Sequence, residues 1–422
     1  MRRYSFLATL LLLQAPALAA TPVTLDQAVQ SALETNPTYQ KAELASQVAE
    51  QELRAARATF FPQLAVTGSY LKSSADANQN PTFIAANAPN ETVAQLGLTQ
   101  PIFEGGLLRA TVARQQAQLA AAQDDGAAAA NALRLQVVSD YVGVLRAEQA
   151  LAIARVQLET ALAHDRESRT QFKKGALPEL DATNSALGVA NAQLAVKQAE
   201  AALALARTGF ATTTGLDPAV PLAPLPALAP QTDTLAALTA LAITQRPDLR
   251  AARERTQSAQ DDVRIARAAL WPQVSLVGAA GWDAATALST ANAGWDAGVN
   301  LSMPLFDAGH LGALTQAAVL TAQQAARDEA SVALGVRSDV ASADSDMAIA
   351  VQQVALADKS ATLAARAAGM TEQGYRLGAQ STLDFQLAQQ ALASAQRAQA
   401  DARLNEALAI ERLKWAMGET LP

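Results

Sequence analysis

No cysteine occurs anywhere in the 422 residues. An exported chain of this length without disulfides has to be held by packing and by assembly, and it has no cysteine on which to carry an N-terminal lipid. Aromatic residues are few: 18, made up of four Trp, five Tyr and nine Phe. Only two histidines are present, His164 and His310, neither at a metal-ligand spacing, so both read as surface residues. Beyond the first 20 residues no run of 18 apolar residues exists, which excludes a transmembrane helix and leaves a β-barrel as the only way across a bilayer. There is no nucleophile elbow, phosphate loop or Cys/His cluster. No enzyme activity, cofactor or metal is therefore expected.

Proline is absent from Ile102 to Leu177 and again from Leu305 to Leu421. Both stretches are rich in Ala, Gln, Leu, Arg and Glu, which favour helix. As helices, 105–174 and 309–376 would each run roughly 100 Å at 1.5 Å per residue. Helices of that length need lateral neighbours along them, as in coiled coils. Shorter helices are expected over 37–60, 179–211, 247–270 and 381–417. Asn36-Pro37 makes a good helix start, with Asn as cap and Pro in the first turn.

The order of these elements is duplicated. Phe61-Pro62-Gln63-Leu64 is answered 210 positions later by Trp271-Pro272-Gln273-Val274. Pro101-Ile102-Phe103-Glu104 is answered 203 positions later by Pro304-Leu305-Phe306-Asp307, and Gly175-Ala176 by Gly378-Ala379 at the same offset. A repeat this long is half of a structure rather than a solenoid module. The first copy covers 20–217 and the second 234–420, joined by a Pro-rich connector at 218–233 that reads as an extended segment outside the helical wall. Residues 1–19, with Met1-Arg2-Arg3, a short apolar run and Ala17-Leu18-Ala19, read as a cleaved signal peptide. Its loss takes the formal charge from −7 to −9, which argues against nucleic acid as a partner.

Within each copy the apolar period changes from 3.6 to 2. Strands of about ten residues are expected at 62–72, 92–102, 272–282 and 294–304, with the alternation of a transmembrane barrel. The clearest case sets Trp295, Ala297, Val299, Leu301 and Met303 against Asp296, Gly298, Asn300 and Ser302. Nine of the 18 aromatics fall in windows 60–103 and 271–306. Phe61, Phe103, Trp271 and Phe306 sit where strands meet helices; Tyr70, Trp282 and Trp295 sit near the far strand ends. Two separated belts are what bilayer interfaces select. Four strands cannot close a barrel, so the chain must oligomerise through them: two chains give a filled eight-strand barrel, three a twelve-strand barrel with a lumen.

With these features in place, the chain from about Thr24 to Glu419 resembles the TolC family of outer-membrane efflux and secretion channels, or outer membrane factors. The resemblance is carried by Asn36-Pro37, Phe61-Pro62-Gln63-Leu64, Leu98-Thr99-Gln100-Pro101-Ile102-Phe103, Tyr141, Gly175-Ala176-Leu177 and Gly374-Tyr375-Arg376-Leu377-Gly378. It implies a homotrimer with a twelve-stranded barrel in outer-membrane lipid, continued by a long α-helical barrel in the periplasm. It implies service to an efflux or type I secretion system, with a periplasmic adaptor and an inner-membrane transporter as partners. It also implies an aperture, which doubles as the adaptor-docking tip, at the helix turns farthest from the membrane. The tip residues are then Gly175, Asp181, Tyr375, Gly378, Gln380, Asp384 and Leu387, with Asp181 and Tyr375 forming part of a polar latch. Gln380 stands where the type member has an arginine and Leu387 where it has an aspartate ring, so the implied gate loses charge. The missing cysteine separates the chain from the lipid-anchored branch.

Asp384 also completes a capping box with Ser381, and Asp181 suits the positive end of its helix; capping and latching are compatible. The pairs Asp124-Asp125 and Asp261-Asp262 are adjacent on a helix, do not face one another, and read as solvated acids rather than acid–base dyads. The competing class is a soluble periplasmic coiled-coil scaffold or adaptor.

Overall fold

The computed structural model describes residues 22–72, 90–226, 229–284, 292–377 and 379–419. The signal-peptide reading and Gly378 lie outside the described residues. The helices are α1 (Leu25–Thr35), α2 (Pro37–Ala58), α3 (Leu107–Lys173), α4 (Glu179–Thr214), α5 (Leu235–Gln245), α6 (Pro247–Ala268), α7 (His310–Arg376) and α8 (Thr382–Met417). The strands are β1 (Gln63–Lys72), β2 (Asn90–Glu104), β3 (Gln273–Ala284) and β4 (Asn292–Ser302). The two halves match helix for helix, at 11, 22, 67 and 36 residues each. Equal lengths in equal order make the internal repeat a property of the fold, beyond its short motifs.

Two of these helices, α1 and α5, were absent from the sequence-based expectation. Both carry local signals. Thr24 and Gln27 exchange side-chain-to-backbone hydrogen bonds, a capping box ahead of α1, and the Thr234 hydroxyl accepts from Ala237 N ahead of α5. Their 11-residue length leaves little periodicity to detect. By contrast α2 starts as Asn36-Pro37 dictates, with the Asn36 side chain accepting from Thr38 N at 2.9 Å.

The residues form two compact units. One takes the described residues within Met1–Thr35, Gln136–Ala229 and Gln352–Leu408. Its core joins Val138, Val142 and Leu404, with Leu25, Leu145, Leu225 and Leu408 packed around them. Val23 bridges to Leu222 in the connector, tying the N-terminal segment to the link between the repeats. Tyr141 seals this junction. It is fully buried, meets Phe210 edge-on at 5.9 Å, and its hydroxyl lies 2.5 Å from Ala223 O and 2.9 Å from Val23 O.

The other unit takes the described residues within Asn36–Leu135, Pro230–Val351 and Ala409–Pro422. Here α6 is clamped by ion pairs: Arg250 to Asp124 at 2.6 Å, Arg255 to Asp125, and Arg114 to Asp262 at 3.3 Å. Asp261 is buried and bonded by Arg264. This corrects the expectation of solvated acids. The helices pack through alanine and short side chains, so their axes lie close and arginines from one helix reach carboxylates on the next.

The same unit holds the sheet, antiparallel in the order β1-β2-β3-β4. Its register sorts the residues by face. Leu64, Val66 and Tyr70 align with Leu98, Leu96 and Thr92, then with Gly278, Ala280 and Ala284, and through β3 with Ala297 and Trp295. The opposite face carries Gln63, Thr67, Ser69, Gln95, Thr99, Ser275, Asp296, Asn300 and Ser302. A register shift between Pro101 and Phe103 brings Phe103 opposite Val274, on the apolar face. Gln100, the polar residue opposite Leu276, turns its amide back to Phe60 O and Pro101 O. Gly281 is required by the close approach of strands, because a Cβ there would meet Ala94 O at 2.4 Å.

Tyr141→Phe is expected to lower stability by about 1–2 kcal/mol, since Ala223 O loses the hydroxyl donor, whereas Val23 O keeps its bond from Ala223 N. Burial pushes the Tyr141 hydroxyl up to about 12, partly offset by its bond to Ala223 and reinforced by Glu148. The folded state therefore loses stability as pH rises from about 10, the ordinary tyrosine value, through that raised one. Alkaline unfolding followed by circular dichroism should start later in Tyr141→Phe than its neutral-pH deficit alone would give.

Candidate functional site: an apolar sheet face and a helix-turn cluster

The sheet presents its apolar side to the exterior of the chain. Val66, Trp295 and Val299 are 79, 81 and 70% exposed, and Leu64, Leu301 and Tyr70 are also largely uncovered. Fully burying such a side chain is worth about 1.5–3 kcal/mol each, so this face is strongly unfavourable in water. β1 and β4 are both edges, each leaving a row of backbone groups without a partner strand among the described residues.

All seven aromatics singled out by sequence are exposed: Phe61, Tyr70, Phe103, Trp271, Trp282, Trp295 and Phe306. Phe61 and Trp271 lie just before β1 and β3, Phe103 lies near the end of β2, and Phe306 follows β4. Tyr70, Trp282 and Trp295 lie toward the other strand ends, on the apolar face. From Trp271 to Trp282 the strand rises about 36 Å at roughly 3.3 Å per residue. At a tilt of about 45° that becomes about 25 Å, the height of the apolar band of an outer-membrane barrel.

In the other unit, the helix turns gather the second candidate region. Gly175 has φ +72° and closes α3 in a Schellman arrangement, with Gly175 N donating to Phe172 O and Ala176 N to Gln171 O. Asp181 stands in the first turn of α4. Asp384 starts α8 by accepting from Ser381 N and Oγ, while Asp384 N donates to Ser381 Oγ. Those bonds from Ser381, hydroxyl first and then backbone, hold the Asp384 carboxyl below its ordinary value. Gln380 and Leu387 are exposed. Tyr375 is buried, its hydroxyl 3.4 Å from Ser168 Oγ.

The structure brings to Tyr375 three residues that the sequence did not assign, Ser168, His164 and Phe385. His164, expected at the surface, is buried against Tyr375 and Phe385. The spacing that places His164 on the packed face of α3 is shared by many alanines, so no local signal set it apart. Beside it, Asp165 takes a hydrogen bond from Ser185 at 3.1 Å and pairs with Arg169 at 2.7 Å. Among the described residues, no group of three or more His, Cys, Asp or Glu is placed to hold a metal.

The fold as a whole is shared with solved channels. The Campylobacter jejuni CmeC outer membrane channel superposes with a TM-score of 0.82 at 20% identity, over 93% of this chain and 85% of that one. The fold is that of an outer-membrane channel of the TolC type. The profile of the outer membrane efflux proteins matches residues 28–216 and 238–419, and the chain belongs to that family. Among characterised relatives, Protein CyaE of Bordetella pertussis is 30% identical over 301 residues, 69% of this chain and 62% of CyaE. The fusaric acid resistance protein FusA of Burkholderia cepacia is 28% identical over 202 residues, 46% of this chain and 38% of FusA. The matched stretch thus spans less than two thirds of either relative. Members of the family are channels that form trimers and work with adaptors and inner-membrane pumps.

Ser185→Ala is expected to destabilise the helix-turn region by about 1–3 kcal/mol, because the mostly buried Asp165 carboxylate loses its hydroxyl donor. Urea unfolding of this variant beside wild type measures the loss; an unchanged midpoint would show that water replaces Ser185.

Proposed function

We propose that this chain is one of three identical subunits of an outer-membrane exit duct, a passive conduit for an efflux or type I secretion system. The observation that carries this reading is the four-stranded sheet with one continuous apolar face and two open edges. An open edge in lipid leaves each backbone group several kcal/mol short of satisfaction, so the strands must pair with those of neighbouring subunits. Three copies give twelve strands, enough for a lumen. The apolar face then contacts outer-membrane lipid, the seven aromatics mark its two interfaces, and the polar face lines the passage.

The helices support the same assembly. On α7, Ala361, Ala368 and Tyr375 are buried at a spacing of seven, whereas Leu356, Leu363 and Met370 form an exposed stripe at the same spacing, continued by Leu377 just past the helix end. The two rows are two residues apart in phase, about 200° around the helix. On α4, buried Ser185 and Val196 face inward, and Leu180, Leu187 and Leu194 repeat the exposed pattern. Helices apolar on opposite sides seek a second neighbour. Hydrogen bonds join α3 to α8, Ser185 ties α4 to α3 and Asp358 ties α7 to α8, which leaves the outer sides of α4 and α7 as the lateral edges of each subunit's wall.

In this reading the chain is exported to a Gram-negative cell's outer membrane by a cleaved signal peptide and carries no lipid. A periplasmic adaptor and an inner-membrane pump engage the helix turns at Gly175, Asp181, Tyr375, Gly378, Gln380, Asp384 and Leu387. Ser168 meets the Tyr375 hydroxyl at 3.4 Å within the chain, and Asp181 with Tyr375 forms part of a polar latch at the aperture. A soluble scaffold accounts for the long helices but leaves the exposed face of Val66, Trp295 and Val299 without a purpose.

Detergent extraction of the outer-membrane fraction should yield a trimer that conducts in planar bilayers. A monomer stable in detergent-free buffer with its sheet intact would overturn this assignment. Leu187→Glu combined with Leu363→Glu should abolish the trimer on native mass measurement, each charge replacing about 1.5–3 kcal/mol of apolar burial. Asp296 is exposed on the polar face. Mild cation selectivity is therefore expected, and Asp296→Asn should move the reversal potential toward zero; anion preference in wild type would refute the lumen charge.

A further inference from the structure

The duct reading assigns no role to His164. Its imidazole is 7% exposed, stacked on Phe385 at 4.6 Å and 29°, and edge-on to Tyr375 at 4.9 Å and 61°. Tyr375 is the penultimate residue of α7, and Phe385 lies in the first turn of α8. One ring on α3 therefore holds both arms of the α7–α8 turn. Ser168, one turn further along α3, adds its contact to the Tyr375 hydroxyl. The Nε2 of His164 is buried and has no hydrogen-bond partner among the described residues.

We propose that His164 is a pH-sensitive clasp at the helix turns: neutral, it holds the α7–α8 turn against α3, and protonated, it lets the turn go. This deepens the duct reading and rests on it, since the turn matters only where it borders the aperture.

The neutral imidazole packs as a third aromatic disc. Protonation puts a charge in that packing and leaves a buried cationic N–H at Nε2 without an acceptor, an unfavourable state unless the ring moves. Opposing this are the faces of Tyr375 and Phe385 and the carboxylates of Glu167 and Asp165 on α3 and Asp181 on α4. The Asp165 carboxylate is already taken up by Ser185 and Arg169. On α8, Arg397 lines the far end of the same cleft, twelve residues from Phe385 and so about 18 Å along the helix, too far to weigh on the charge of the ring. That cleft, about 440 Å³ between α3, α4 and α8, gives the charged ring space to turn toward water.

Burial wins over the carboxylates, and the His164 imidazole lies below its ordinary 6.5. The packed state thus binds its proton less readily than the released one. Its advantage is complete above about pH 6.5 and declines as pH falls from there through the lowered value. Acid favours the released turn.

Full-length trimer should be compared between about pH 8 and about pH 5, as wild type, His164→Phe and His164→Gln. Two readouts apply: bilayer conductance, and hydrogen exchange of amides near Tyr375 and Phe385 corrected for intrinsic rates. In wild type both should rise several-fold toward acid, and neither substitution, lacking a titrating ring, should reproduce the rise. A flat wild-type exchange profile, or an equal rise in His164→Phe, overturns the clasp. Should either variant fail to assemble, the other and the wild-type profile still decide. Absence of conductance under every condition, with exchange still responsive, instead refutes the duct and leaves the histidine's titration standing.

Discussion

A β-sheet that is apolar on one face and open at both edges cannot be at rest in water. The face needs an apolar medium, and the edges need partner strands. A barrel in lipid satisfies both demands at once, and only if other copies of the chain supply the remaining strands. Assembly and membrane insertion are in this sense one requirement, met together. The alternation of Leu64, Val66 and Tyr70 with Gln63, Thr67 and Ser69 creates it, and the pairing of β2 with β3 extends it across all four strands.

The helical elements obey a parallel logic. A helix of 67 residues has more surface than one compact core can cover, so α3 and α7 lean on neighbours along their length. Alanine at the contacts keeps axes close, and arginine–aspartate pairs add register. Individually such pairs contribute little when exposed. Their value lies in geometry, because Arg250 and Arg255 on α6 meet Asp124 and Asp125 only in one alignment of α6 with α3. The acids dismissed as solvated were misjudged for that reason: the sequence shows that a carboxylate is on a helix, but not which helix lies beside it.

The helix turns differ in character from the sheet. Their glycine and capping signals are local: Gly175 takes a left-handed conformation, and Ser381 with Asp384 forms a reciprocal box. What surrounds Tyr375 is not local. His164, Tyr375 and Phe385 come from three helices and meet only when the hairpins dock. A lone histidine in an alanine-rich helix looks like a surface residue until those partners arrive.

The chain's residues by themselves determined its duplicated order, the long helices and the strand faces. All of these follow from periodicity, proline placement and capping, which act over a few residues. The short α1 and α5 escaped because 11 residues hold barely three turns of pattern. Tertiary structure alone decided the burial of Asp261 and His164 and the sealing of the repeat junction by Tyr141. It also decided which sides of α4 and α7 stay uncovered. These depend on contacts between residues far apart in the chain, where burial and electrostatics are set by neighbours that no local pattern names.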